Sequence, residues 1–252
     1  MKFTEEFMND LQYSRLLDTT PDEEYFPKFY KAKSQEVILN PGDCLFLPAG
    51  WWHWVFSEET GPSGLNIALN FWYATDWKPW DKTVKYPVVT SHDICNIDYI
   101  NIMQKLENRF LVHHSPKRKF AEYRVYPKVE SVLPVTFSLM NFTQLLETKS
   151  DIGMYATAIP DQRMKKYTPT VNGFNMQIDN AYWWVNNGNV TTLCHYDIAE
   201  NFLCQLEGTK RILLYHPNER ENLYPYNPYD PRDLKFSLFP RDSTGVNEKH
   251  SY

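Results

Sequence analysis

The chain has 252 residues and a formal charge of −5. That length is enough for one large domain or two small ones with a substantial core, and the acidic balance argues against a surface built to coat nucleic acid. Aromatic residues make up 16% of the chain, with 8 Trp and 17 Tyr against only 9 Gly, which excludes disorder and suits a β-rich fold with aromatic-lined clefts.

Residues 1–13 read as a short helix, with Phe3, Phe7, Met8 and Leu11 near helical spacing. This segment lacks the long apolar run of a secretory signal, and no stretch of the chain reaches the length of a membrane span. After the polar Thr19-Thr20-Pro21-Asp22 stretch, residues 35–39 and 43–47 read as strands flanking the Asn40-Pro41-Gly42-Asp43 turn. Trp51 to Phe56 and Leu65 to Tyr73 follow as apolar strands around the Gly61-Pro62-Ser63-Gly64 turn, making an antiparallel meander.

From Ala74 to Val89 the chain is rich in Trp, Pro and Lys and reads as irregular. Residues 96–112 read as a helix, because Ile97, Ile100, Ile102, Met103, Leu106 and Phe110 fall near helical spacing. The polar, basic stretch 113–119 is the best boundary between an N-terminal part (1–112) and a C-terminal part (113–252). Residues 140–148 read as a second helix, and 152–158, 174–178 and 182–186 as strands. Asn201 to Leu206, the Glu207-Gly208 turn and Lys210 to Tyr215 carry a hairpin signature. Beyond Pro217 periodicity is lost, and 241–252 is expected to fray. Cys44, Cys95, Cys194 and Cys204 show no CxxC spacing and read as small buried residues, which points to a reducing, intracellular compartment, cytoplasmic or nuclear. Lys117-Arg118-Lys119 and Lys165-Lys166 are local basic spots of the kind that usually form solvated loops.

One constellation carries chemistry. In a strand, residues i and i+2 share a face, so His195 and Asp197 present an imidazole and a carboxylate side by side. Such a tripeptide is common by chance, and a surface histidine and aspartate would be the default reading without context. Lys210 opens the following strand, where its ammonium would suit a carboxylate, although an ordinary strand-edge lysine fits the same pattern. Far upstream, Pro41-Gly42-Asp43-Cys44-Leu45-Phe46-Leu47-Pro48-Ala49-Gly50-Trp51-Trp52-His53 is a turn, a buried strand and a bend that delivers a second histidine. Two histidines and one carboxylate form the facial triad of non-haem iron(II) oxygenases, with positions left open for co-substrates.

The run ending at His53, the Asn70-Phe71-Trp72-Tyr73 strand and the block from Thr192 through His195-Tyr196-Asp197 and Asn201-Phe202 to Lys210-Arg211 resemble the JmjC-type, cupin-like 2-oxoglutarate oxygenases. Within them these segments are most similar to the asparaginyl hydroxylase that inhibits hypoxia-inducible factor, as are Lys85-Tyr86-Pro87 and Leu223-Tyr224-Pro225-Tyr226. The resemblance implies a double-stranded β-helix, a jelly-roll of cupin type that is mainly β with flanking helices. It implies His195, Asp197 and His53 as iron(II) ligands, with 2-oxoglutarate and dioxygen as co-substrates. Lys210, Thr192 and Tyr155 would hold the distal carboxylate of 2-oxoglutarate, Tyr155 serving equally well as a core tyrosine. Asn201 and Asn70 would flank the chelated end, and Trp72 would line the substrate channel.

The order of these segments is reversed relative to that family, in which the His-x-Asp strand precedes the distal histidine. Residues 18–112 resemble the second half of the domain and 120–240 its first half, with the earliest N-terminal strands missing. The expected arrangement is a circular permutant, cut between Pro240 and Asp18, whose halves form one composite domain. Two others are open: a site shared between copies or protomers, and a rearranged product with no competent site.

The expected activity is hydroxylation of a protein side chain of Asn, Asp or His type, with demethylation sharing the same first step. A base in transfer RNA is the second class of substrate, because a transfer-RNA hydroxylase of the same broad family has a similar distal-histidine segment. A non-catalytic protein-binding module is the third. The helix at 96–112 matches the place where the resembled hydroxylase continues into its dimerisation segment, so a homodimer is one expectation and packing on its own sheet the default.

Overall fold

The structure is a computed structural model, and the residues described are 13–73, 88–90, 97–105, 110–120, 136–168 and 178–225. In chain order the strands are β1 (Ser34–Leu39), β2 (Asp43–Leu47), β3 (Trp52–Ser57), β4 (Asn66–Tyr73), β5 (Val88–Thr90), β6 (Phe110–Ser115), β7 (Lys119–Phe120), β8 (Thr136–Met140), β9 (Gly153–Pro160), β10 (Ile178–Asn186), β11 (Val190–Tyr196), β12 (Asn201–Glu207) and β13 (Lys210–Tyr215). Two short helices, α1 (Tyr99–Gln104) and α2 (Phe142–Glu147), interrupt them. Of the helix expected at 1–13 only Tyr13 is described, and it forms a β-bridge; of the irregular stretch expected at 74–89 only Val88 and Val89 are described, and they belong to β5. The rest of both, the strand residues 174–177 and the tail 241–252 lie outside the described residues.

The strands form a five-stranded sheet, β1-β13-β3-β11-β7, and an eight-stranded sheet, β5-β2-β12-β4-β10-β9-β6-β8. Consecutive strands alternate between them: β1 lies in the small sheet, β2 in the large, β3 in the small, β4 in the large, and β10 to β13 alternate likewise. This alternation is the jelly-roll winding expected of a cupin-like double-stranded β-helix. Within each sheet, strands of the β1–β4 group are neighboured by strands of the β10–β13 group, as in β1-β13-β3-β11 and β2-β12-β4-β10. The two segments of chain are therefore interleaved, each supplying the backbone partners that the other lacks.

Local sequence explains the main elements. Strand β12 is buried along its whole length and β2 along all but its first residue, as expected of apolar runs covered on both faces. The β12–β13 hairpin turns at Gly208, whose φ of 75° is the left-handed conformation. A side chain there would also collide with the carbonyl of Glu59, 2.3 Å from an added Cβ. Helix α2 is set by a capping box in which Asn141 and Gln144 each bond the other's backbone N–H.

Three apolar layers follow. Leu39, Leu45, Leu47, Trp51, Ala68, Leu203, Ile212 and Leu214 fill the space between the sheets. The outer face of the large sheet packs Leu69, Phe71, Trp183 and Phe202 against Met103 of α1 and Phe142 and Leu145 of α2. The outer face of the small sheet packs Trp52, Trp54 and Tyr215 beneath Leu16, Phe29 and Leu223.

Two expectations need correction. Among the described residues of the helix read at 96–112, Tyr99–Gln104 form α1, whereas Phe110 to Val112 belong to β6. Phe110 and Val112 are buried while Leu111 is exposed, a period-two pattern that the surrounding apolar residues disguised as a helical one. Stretch 113–119 holds the end of β6, a turn with Arg118 at φ 53°, and the start of β7. Cys44, Cys194 and Cys204 are fully buried as expected. However, Cys44 and Cys204 are cross-strand partners joined by a disulfide, with a Cα–Cα distance of 4.0 Å. A separation of 160 residues hid that pairing, and with it goes the basis for inferring a reducing compartment. Cys95 lies outside the described residues.

Candidate metal centre

Strands β3 and β11 are antiparallel neighbours, and their register sets His53 directly opposite His195. Thr192 pairs with Val55, so β11 uses three residues where β3 uses two, and a bulge falls between Thr192 and His195. Without the extra residue, Thr192 and His195 would point to opposite faces. With it, both join Val55 and His53 on the face toward the large sheet. Asp197 follows immediately after β11, and its carbonyl accepts from Gly50 N at 2.6 Å, which ties the two ligand-bearing segments together.

The three side chains converge. His53 Nε2 is 3.7 Å from Asp197 Oδ2, His195 Nε2 is 3.9 Å from Asp197 Oδ1, and the donor atoms all lie within 4.8 Å of one another. His53 Nδ1 donates to the Trp51 carbonyl at 3.0 Å and His195 Nδ1 to the Leu193 carbonyl at 2.7 Å. A carbonyl accepts only, so Nδ1 carries a proton in each ring, which turns Nε2, the ligating nitrogen of that tautomer, toward the carboxylate. Burial, followed by the neighbouring His53, holds His195 well below the usual histidine range. Burial raises the Asp197 carboxyl, opposed by His53 and by Asn201, whose Nδ2 donates to Oδ2 at 2.9 Å. Two imidazoles and a carboxylate whose donor atoms face a common point are the donor set of a divalent metal, and the residues fit iron(II).

The remaining expected residues lie on strands of the same two sheets. Lys210 lies on β13 opposite Ser57, four residues along β3 from His53, a backbone separation of about 13 Å at the usual rise. It is no edge lysine: β13 lies between β1 and β3, and Lys210 is 2% exposed. Its Nζ donates to Ser57 Oγ and Asn66 Oδ1, both at 2.7 Å, and burial pushes its pKa down to about 7. Thr192 Oγ1 donates to the Tyr155 hydroxyl at 3.4 Å. Tyr155 is stacked between Phe120 and Trp184, and burial raises its pKa to about 12. In the amide orientation that satisfies its neighbours, Asn70 donates to Asn201 Oδ1 at 2.9 Å and accepts from Trp72 Nε1 at 3.2 Å. Trp72 meets Tyr182 edge-on, ring centroids 6.2 Å apart.

The structure thus brings His53, His195 and Asp197 together at one end of the inter-sheet space, Thr192 and Tyr155 to each other, and Lys210 to the buried floor of that space. Sequence reading missed the floor's other members, Ser57, Asn66 and Asn186. Ser57 was within reach, because it lies an even number of residues from His53 on one strand and so shares its face. Asn186, which donates to Ser57 Oγ at 3.1 Å, carries no local signal.

Comparison with known proteins shows the family. The cupin-like domain family matches residues 4–78 and 136–251, and the chain belongs to that family. A protein of Acanthamoeba polyphaga mimivirus whose name assigns it a JmjC domain is 26% identical over 255 residues, covering 90% of this chain and 39% of that protein. A lysine-specific demethylase 8 of Xenopus tropicalis is 38% identical over 55 residues, 22% of this chain and 11% of the relative. A tRNA wybutosine-synthesizing protein 5 of Gallus gallus is 44% identical over 75 residues, 29% of this chain and 22% of the relative. The chain therefore spans well under half the length of these relatives. No solved structure matches it significantly. Among the described residues no helix is long and apolar enough to cross a membrane.

Proposed function

We propose that this chain is an iron(II)- and 2-oxoglutarate-dependent oxygenase that hydroxylates a side chain of a protein partner. The observation that carries the reading is the convergence of His53, His195 and Asp197 at one end of a cleft whose floor holds a buried lysine. Iron(II) bound there would supply the oxidising chemistry, with dioxygen and 2-oxoglutarate as co-substrates. The chain's own residues would do the rest. Asn201 orients the Asp197 carboxylate, Lys210 would receive the distal carboxylate of the five-carbon diacid, and Thr192 and Tyr155 would offer it hydroxyls. Trp72 and Tyr182 would wall the opening where a substrate side chain enters.

The likeness to the hypoxia-inducible-factor asparaginyl hydroxylase and the permuted order belong to this proposal. Ser14 and Pro225 form an antiparallel bridge, so the segments flanking the proposed cut are neighbours, which supports the reading of 1–112 and 113–252 as one composite domain. Helix α1, on which the homodimer expectation rested, has Met103 packed into the chain's own core.

The test is release of succinate from 2-oxoglutarate with iron(II) and dioxygen, together with gain of one oxygen atom by a candidate peptide. Turnover that is lost in Asp197→Ala supports the oxygenase. Metal binding without any turnover overturns it in favour of a binding module.

The tRNA-modifying relative favours a second reading, a hydroxylated base in transfer RNA. Against it, Arg118 is committed to the carbonyls of Gly188 and Asp151, and Lys119 to Asp18, so these cations of the 117–119 run are engaged within the fold. RNA binding that weakens steeply with salt would favour this second reading.

A further inference from the structure

Residues 13–16 run beside the ligand-bearing strand. Ser14 N donates to the Cys194 carbonyl at 2.9 Å, and Tyr13 forms a backbone bridge with His195. This places the Tyr13 ring on the His195 imidazole, with centroids 5.1 Å apart and an interplanar angle of 16°. Tyr13 is 4% exposed. The His53 ring lies 4.2 Å away and tilted by 56°, so both rings constrain the same imidazole.

The bond from His195 Nδ1 to the Leu193 carbonyl fixes where the ring points but leaves it free to rock about that axis, swinging Nε2 off the shared point. A parallel ring against its face resists this motion, since rocking would either lose the stacking contact or drive the two rings into each other. Tyr13 is itself held by neighbouring bonds. Ser14 Oγ donates to the Leu223 carbonyl at 2.5 Å and accepts from Leu16 N at 3.1 Å, while Arg15 N donates to the Tyr224 carbonyl at 2.9 Å. Leu16 and Leu223 are fully buried beneath this strap.

We propose that Tyr13 is a positioning residue of the metal centre: its ring sets the orientation of His195, and so the affinity and coordination geometry of the bound ion. This rests on the reading of His53, His195 and Asp197 as metal ligands. The aromatic face carries the role, so phenylalanine replaces tyrosine here and an aliphatic side chain does not.

The test is titration of the full chain with cobalt(II), followed by the visible absorption of the bound ion, which reports coordination geometry. Tyr13→Phe is expected to keep the parent affinity and spectrum. Tyr13→Ala and the bulkier Tyr13→Leu are expected to weaken cobalt binding by about 10-fold or more, the usual effect of losing a group that orients a ligand, and to alter the absorption bands. Should Tyr13→Ala not fold, Tyr13→Leu, compared at matched thermal stability, carries the decision. An aliphatic variant with parent affinity and parent bands overturns the proposal. A parent chain that binds no cobalt, or a His195→Ala variant that binds it as the parent does, instead overturns the underlying metal assignment.

Discussion

His53 and His195 are direct cross-strand partners, although one lies in the first quarter of the chain and the other in the last. Each fixes its proton on a carbonyl two residues before it, Trp51 for one and Leu193 for the other. The same local device thus orients both rings, and the sheet register brings their free nitrogens to one carboxylate.

Asn201 Nδ2 donates to the Asp197 carboxylate at 2.9 Å and holds its orientation. Asn201→Ala leaves that carboxylate free to rotate and is expected to lower divalent metal affinity by about 10-fold and, because Asn201 is fully buried and also accepts from Asn70, to lower the thermal midpoint. Calorimetric titration with cobalt(II) measures the first quantity and a thermal melt the second.

Lys210 makes stability depend on pH. Its folded pKa is near 7, far below the ordinary lysine value near 10.4. Between those values the unfolded chain binds the extra proton, so stability rises with pH across that window, by at most about 1.4 kcal/mol per pH unit from this group. Below pH 7 both states are protonated and the dependence vanishes. Chemical denaturation of Lys210→Met at pH 7 and pH 9 should show this rise removed, and addition of 2-oxoglutarate to the parent should flatten it by restoring the ammonium.

Interleaving makes the two parts of the chain mutually dependent. Strands β1 to β4 have their principal neighbours among β10 to β13, so residues 1–112 expressed alone are expected to lack a cooperative thermal transition. Mixing with residues 113–252 should restore one, read by circular dichroism.

Gly208→Ala tests the hairpin that delivers Lys210. A left-handed φ of 75° and the close Glu59 carbonyl both oppose a side chain, and the loss should be about 1–3 kcal/mol of stability. Denaturant titration gives the value directly.

Much of this architecture was legible because strands such as β2 and β13 carry unbroken or alternating apolar runs bounded by strong turns, at Asn40-Pro41-Gly42-Asp43 and at Gly208. Strand β6 was not, since its apolar residues continue the spacing of α1 and only burial separates the two periods. The triad was legible because His-x-Asp on a strand and a bend ending in histidine are local patterns. What escaped was set by register between distant strands: the Cys44–Cys204 bond, the bulge that turns His195 inward, and Ser57, Asn66 and Asn186 around Lys210. Tyr13 escaped for the same reason, since nothing near it in sequence points to His195.

Cobalt(II) titration of two defective chains tests the central claim, that one molecule assembles the whole site. The parent is expected to bind one ion, while His53→Ala, Asp197→Ala and an equal mixture of the two bind none tightly. Restoration of tight binding in the mixture would show a site shared between chains, and parent-like binding by either variant alone would show that these residues are not the ligands.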